Sequence, residues 1–128
     1  MPKWANSTVL DGGPNYIKAN CTSIRLISTY SAGDNYTTIL ANTLADVVVT
    51  TTDFTIAAGA SSSRTVTSAA KTDSAANASG GGATNHVAFC ATAASEVMFV
   101  TPESTQQPVT INNPVVIAPV VCTFYQPT

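Results

Sequence analysis

Charge is what this sequence lacks most. Only 9% of its 128 residues are Asp, Glu, Lys or Arg, against about 25% in an ordinary domain. The five basic residues are scattered, at Lys3, Lys18, Arg25, Arg64 and Lys71. A protein that binds nucleic acid needs clustered Lys and Arg to release phosphate counterions. The composition therefore argues against a nucleic-acid partner.

Long apolar runs are missing as well. The longest apolar stretch, 114–122, is interrupted by Pro119 and is shorter than the roughly 18 residues of a membrane span. No apolar segment follows the first residues, so we expect neither a secretory signal nor a membrane partner. Four Asn-x-Ser/Thr sequons begin at Asn6, Asn20, Asn35 and Asn77. We explain them by a composition rich in Asn, Ser and Thr, and we do not expect them to be glycosylated.

Cysteine and histidine are scarce. Cys21, Cys90 and Cys122 form no C-x-x-C unit, and an odd number cannot be fully paired. We interpret them as reduced, buried thiols; the alternatives are one bridge, such as Cys90 to Cys122, or a link between subunits. His86 is the only histidine, whereas a structural zinc site needs about four Cys or His ligands. We predict no metal and no cofactor.

Catalytic patterns are also absent. As a catalytic base, His86 would need a nucleophile and an orienting carboxylate nearby. The sequence gives no reason to place Ser79, Ser95 or Asp73 beside it. The Gly-rich segment 79–83 lacks the Lys-Ser/Thr of a phosphate-binding loop, and no G-x-S-x-G elbow occurs. We predict that the chain is not an enzyme, that it has no catalytic residue, and that His86 begins a strand.

Segment 4–20 is the only predicted helix, broken at Gly12-Gly13-Pro14. It would end near Gly12, or a second turn would begin with Pro14 at its first position.

From Cys21 onward the pattern alternates with period two, which indicates strands; segment 36–44 is ambiguous. The predicted strands are 22–30, 46–52, 54–57, 64–69 (solvent-facing or edge), 86–92, 96–101, 108–112 and 115–125 (with Pro119 at a bulge or edge).

These strands predict one mainly β domain over 1–128: an antiparallel β-sandwich or barrel-like fold with a short N-terminal helical segment within 1–20. Segment 93–95 links a hairpin. Segment 73–85 is expected to bury nothing and to form a flexible Ser/Gly loop, either a connector or an arm that touches a partner. The predicted core is Ile24, Leu26, Val48, Phe54, Val87, Phe89, Val97, Phe99, Val116 and Val120.

Thr, Ser, Asn and Gln take the place of charge on the surface. Such a surface suits protein contacts, which are depleted in Lys and Glu. Three regions could make these contacts, and the sequence does not rank them: the arm 1–6, the loop 73–85 and the Pro-rich C-terminal tail.

Several short segments follow one another in a recognisable order: WANSTVLD (4–11), YIKAN (16–20), SIRLIS (23–28), LAD (44–46), DFTIA (53–57), RTVTSAAK (64–71) and ATNHVA (83–88). This order resembles small structural proteins of tailed bacteriophages, the capsid decoration and head-associated proteins, over the chain up to about residue 101. The pattern departs from that family at Gly12-Gly13-Pro14, where an uninterrupted helix is expected.

The resemblance implies a virion component made in the host cytoplasm, namely a capsid decoration (cement) protein on the capsid surface. Its expected partners are the major capsid protein and other copies of itself, through self-association or as neighbours on the shell. The alternative is a tail, fibre or head-fibre module that contacts the host surface. The family offers no functional residues to transfer one by one.

Overall fold

The computed structural model describes residues 3–127. It is mainly β, with 39% strand and 19% helix, and all its sheets are antiparallel, which confirms the predicted fold class. In chain order the elements are α1 (Ser7–Leu10), α2 (Gly12–Asn20), β1 (Ser23–Ile27), α3 (Tyr36–Ala41), β2 (Thr43–Val48), β3 (Phe54–Ala58), β4 (Arg64–Ser68), β5 (Lys71–Asp73), β6 (Gly80–Gly81), β7 (His86–Ala91), β8 (Glu96–Pro102), β9 (Pro108–Val109), β10 (Val115–Ile117) and β11 (Val121–Phe124).

Two larger sheets enclose the main core in a sandwich-like arrangement. One has the strand order β2-β1-β7-β8 and the other β11-β4-β3, while β10-β5 and β6-β9 form two-stranded sheets. Phe54 of β3 meets Phe89 of β7 edge-on, with ring centroids 5.7 Å apart, and Phe89 also contacts Phe99 at 5.6 Å. These three rings join the two sheets through their inner faces. Within residues 3–127 the strands close no barrel.

A bent two-stranded ribbon connects the sandwich to the small β10-β5 sheet. Val121 faces Thr67 in one half of the ribbon and Val115 faces Asp73 in the other, so the register is the same on both sides of the bend. Pro119 lies between the two halves. The predicted single strand 115–125 is therefore wrong: it is two strands in two sheets, because proline cannot donate a ladder hydrogen bond.

The N-terminal helical segment is present, and it is interrupted at Asp11, just before the predicted break at Gly12-Gly13-Pro14, which lies inside α2. α1 ends at Leu10, and α2 begins at Gly12 rather than at Pro14. Pro14 lies in the first turn of α2, where a backbone N–H has no carbonyl partner within the helix. Its lack of an N–H therefore removes no helical hydrogen bond. The prediction of a single helical region is wrong, because Tyr36–Ala41 forms α3. Its cap is Asn35, whose Oδ1 accepts the Thr38 N–H at 3.0 Å.

Several predicted strands have shifted limits. β2 begins at Thr43 and ends at Val48. It ends before the predicted limit because Thr50 and Asp53 form a capping box around a 3₁₀ turn at Thr51–Asp53. β4 is the central strand of its sheet and not an edge. The strand predicted at 108–112 is reduced to Pro108–Val109. The hairpin of β7 and β8 is confirmed, and β8 ends at Pro102 as predicted.

The predicted core is half right. Ile24, Leu26, Phe54, Val87 and Phe89 are buried, while three further members pack against the core only partly buried, namely Val97, Phe99 and Val120. The assignment of Val48 and Val116 to the core is wrong, because their side chains are 76% and 56% exposed. Their sequence neighbours Val47, Val115 and Ile117 occupy the inner face instead, as a one-residue error of register requires.

The segment 73–85 is anchored to the body. Ala76 and Asn85 are buried, and the Asn77 N–H donates to the Leu44 carbonyl at 2.7 Å. The Ser79 hydroxyl accepts the Ile111 N–H at 2.8 Å. The expectation that nothing in this segment is buried is therefore wrong, whereas its mobility and its contact with a partner stay predictions.

Candidate interaction surface

The two ends of the described chain are joined by one side chain. The carboxamide of Gln126 accepts the Ala5 N–H at its Oε1 (2.8 Å) and donates from its Nε2 to the Ala5 carbonyl (2.9 Å). The same nitrogen donates to the Ser62 carbonyl at 3.1 Å. Gln126 thus bonds Ala5 as a neighbouring strand would, and it fixes the N-terminal arm beside the C-terminal tail.

Two aromatic side chains stand next to this link. Trp4 precedes Ala5, Tyr125 precedes Gln126, and each is 73% exposed. Tryptophan and tyrosine are the residues that most often carry the binding energy of protein interfaces. Large side chains left in water at such exposure are therefore candidates for contact with a partner.

A cavity of about 260 Å³ lies beside the link. Among the described residues on its wall, Arg64 is the only one with a charged side chain, and it is neutralised by Asp11: its Nε donates to Oδ1 at 2.6 Å and its Nη2 to Oδ2 at 3.3 Å. We call this cavity and its wall the terminal surface; among the described residues its charges balance. Its lining residues are Trp4, Ala5, Ala58, Ser62, Ser63, Arg64 and Gln126.

α2 packs closely on β11, the strand that leads into Tyr125 and Gln126. The ring of Phe124 lies directly against Gly13, where any side chain would overlap it. Pro14 and Ile17 of the same helix are buried. Gly13, in the first turn of α2, therefore has a packing role, because it supplies a residue without a side chain at this contact.

The candidate catalytic residues are not brought together. The His86 ring bonds the Thr84 carbonyl through Nδ1 at 2.8 Å, and its centroid lies 5.8 Å from that of Tyr30. Asp73 accepts backbone N–H groups, and Ser79 binds Ile111. Ser95 lies in the turn before β8, with a positive φ of 51°. Between residues 3 and 127 no group of three or more His, Cys, Asp or Glu could hold a metal ion.

The three cysteines are buried free thiols, as the sequence predicts, and the alternative Cys90–Cys122 bridge is not formed. Burial raises the pKa of Cys21 and of Cys90 to about 11, and it raises the pKa of Cys122 as well. The thiolate is the nucleophilic form of cysteine. At neutral pH these three side chains are therefore protonated and suited to packing.

The structure joins two of the three contact regions that the sequence leaves unranked. Residues 3–6 of the arm meet the C-terminal tail, whereas the anchored segment 73–85 contacts Leu44 and Ile111. Residues 1, 2 and 128 of these regions lie outside the described residues. Sequence reasoning missed the role of Gln126, because Ala5 is 121 positions away and no local pattern marks the pair.

Comparison of the chain with protein-family models, with curated proteins and with solved structures finds no match. Among residues 3–127, no helix is both long and apolar enough to cross a membrane. The contacts and chemistry of the chain itself are therefore the basis for assigning a function.

Proposed function

We propose that this chain is a non-enzymatic structural protein of a tailed-phage virion: a capsid decoration (cement) protein. It binds the outer face of the shell of major capsid protein and stabilises it. The observation that carries the proposal is the terminal surface, where the exposed Trp4 shares a cavity wall with Arg64 of the neutral Arg64–Asp11 pair. Tyr125, next to Gln126 in the chain, adds a second exposed aromatic side chain. The resemblance to phage head-associated proteins supplies the partner.

An uncharged surface with exposed aromatic side chains suits the stabilisation of an assembled capsid. A protein that binds only the assembled shell stabilises it by mass action, and the many copies of a symmetric shell multiply a modest contact through avidity. Binding through Trp4 and Tyr125 buries apolar area without unpaired charge. We therefore expect the affinity to change little with ionic strength, since salt screens charge pairs and not apolar contacts.

The test uses expanded capsids that lack this protein. Added protein should bind them saturably and raise their melting temperature. Trp4→Ser should weaken binding at least about tenfold, as the loss of an interface hot spot does, and Tyr125→Ser should also weaken it. Val48→Ser is the matched control, because it removes an equally exposed apolar side chain on β2.

The proposal fails if the wild-type protein shows no saturable binding and leaves capsid melting unchanged. Binding that all three variants retain would keep the capsid role but remove the terminal surface as its site. The far-UV circular dichroism of each variant shows that it is folded before binding is compared.

A further inference from the structure

The outer edge of β11 carries backbone groups that bond no other residue in the described part of the chain. The Ser68 N–H donates to the Val120 carbonyl at 3.0 Å, and successive residues of an antiparallel strand turn their backbone groups to alternate sides. Cys122 and Phe124 therefore bond β4, whereas Val121 and Thr123 turn their N–H and C=O groups away from it. Within residues 3–127, these outward groups have no hydrogen-bond partner.

The outer edges of the four-stranded sheet are protected. On β2, the Asp46 N–H donates to the Asp73 carboxylate at 3.0 Å, and the Leu44 carbonyl accepts the Asn77 N–H. On β8, one extra residue interrupts the register between Val97 and Phe99, and Pro102 has no N–H. Covered edges, bulges and proline are the devices that keep edge strands from pairing with other chains.

The four residues of β11 contain none of these devices, and Pro119 lies before the strand. Its pairing with β4 is regular along the whole strand, and segment 118–127 contains no charged residue. The opposite edge strand of the same sheet, β3, begins directly after Asp53, which forms an ion pair with Lys71 at 3.0 Å. Among the described edges of the two larger sheets, β11 is the one with neither cover, bulge nor a charged residue next to it in the sequence.

We propose that β11 pairs with β11 of a second copy, antiparallel and about a twofold axis, so that the two three-stranded sheets become one. With Cys122 of both copies at the axis, Val121 of each copy faces Thr123 of the other. In this register the outward groups meet as hydrogen-bonded pairs, each of which exchanges two hydrogen bonds. The axis generates the second pair from the first.

A second copy of this chain is the binding partner that best fits the outer edge of β11. Since segment 118–127 is uncharged, self-pairing places no like charges opposite each other, and a charged partner strand would find no counter-charge. Val121 is 56% exposed, and a cross-strand pair of two β-branched residues, such as Val121 and Thr123, is favourable. This pairing does not depend on the proposed capsid role.

Amide hydrogen exchange of the wild-type protein is the first test. At low concentration the Val121 and Thr123 amides should exchange fast, while the Cys122 and Phe124 amides are protected. At a concentration where sedimentation shows nine-tenths dimer, exchange at Val121 and Thr123 should slow about tenfold, because only the unpaired chains exchange. A chain that stays monomeric at millimolar concentration, or a dimer that leaves both amides fast, would overturn the proposal.

Substitutions test the edge directly. Thr123→Pro removes an outward N–H without removing a bond to β4, so it should abolish the dimer, while Thr123→Val should keep it. Both variants must retain the wild-type circular dichroism spectrum. If Thr123→Pro does not fold, cysteine variants give the answer in a Cys122→Ser background, which removes the native thiols that this register brings together at the axis. In that background Val121→Cys and Thr123→Cys chains should cross-link with each other and neither with itself. Self-linking of Val121→Cys would contradict the proposed register.

Discussion

The ring of Phe124 on β11 lies against Gly13 of α2 so closely that a methyl group on Gly13 would overlap it, whereas the same position of Gly12 is open. Gly13→Ala should therefore lower the free energy of unfolding by about 1–3 kcal/mol, as overpacking of a tight contact does. Gly12→Ala, which reduces backbone freedom without a clash, should leave it unchanged or raise it by up to about 1 kcal/mol. Urea unfolding of both variants measures the difference, and equal stabilities would contradict the contact.

Phe89 lies between Phe54 and Phe99 at the centre of the main core and is fully buried. Phe89→Ala should cost about 3–5 kcal/mol of stability, because it leaves a cavity between the sheets. Val48→Ala is the control, and as an exposed substitution it should change stability by less than about 0.5 kcal/mol. A loss below about 1 kcal/mol at Phe89 would show that β7 presents its other face to the core.

The link made by Gln126 can be followed by fluorescence, because Trp4 is the only tryptophan. Gln126→Ala removes all three hydrogen bonds that hold Ala5 and Ser62. The steady-state anisotropy of Trp4 should fall, since the arm gains freedom on the nanosecond timescale. Tyr125→Phe, next to the link but outside it, should leave the anisotropy unchanged. Equal anisotropies in wild type and Gln126→Ala would show that the arm is held by other contacts.

Asp53 makes stability depend on pH. The Thr50 N–H, and then Lys71, hold the pKa of this carboxyl below its ordinary value. A carboxyl with a lowered native pKa contributes stability above its unfolded-state pKa, about 3.9, and loses it as the pH falls through the native value. Asp53→Asn should therefore lose less stability than the wild type on acidification below about pH 4. Identical slopes in urea titrations at several pH values would contradict this.

The buried thiols should resist modification. With a pKa of about 11 at Cys21 and Cys90, the thiolate fraction at pH 8 is roughly a hundredfold or more below that of an ordinary cysteine of pKa about 8.5. A thiol reagent such as 5,5′-dithiobis(2-nitrobenzoate) should react slowly with the native protein and quickly in 6 M guanidinium chloride, which exposes all the cysteines. Rapid reaction of one native thiol would place it at the surface.

The sequence predicts those parts of the structure that local patterns encode. Alternating apolar residues with a short polar link identify β7 and β8, and the interruption of the N-terminal helix is predicted to within about two residues, since it lies at Asp11 rather than within 12–14. The limits of β2 were missed, because a capping box of Thr50 and Asp53 competes with the β-prone valines. α3 was missed because six residues are too few to show a helical period.

The terminal surface could not be predicted, because its contacts join distant residues. Gln126 meets Ala5, Arg64 meets Asp11, and Phe124 meets Gly13. Each pair forms only once the sheets have packed. The resemblance could name a class of protein but no site, because it carries no functional residue.

The most direct test of the central claim is the number of copies of this protein per intact particle, measured by quantitative mass spectrometry against the major capsid protein. A decoration protein should be present in hundreds of copies, since it follows the symmetry of the shell. About three to twelve copies would indicate a tail or fibre module instead. Its absence from purified particles would contradict a structural role in the virion.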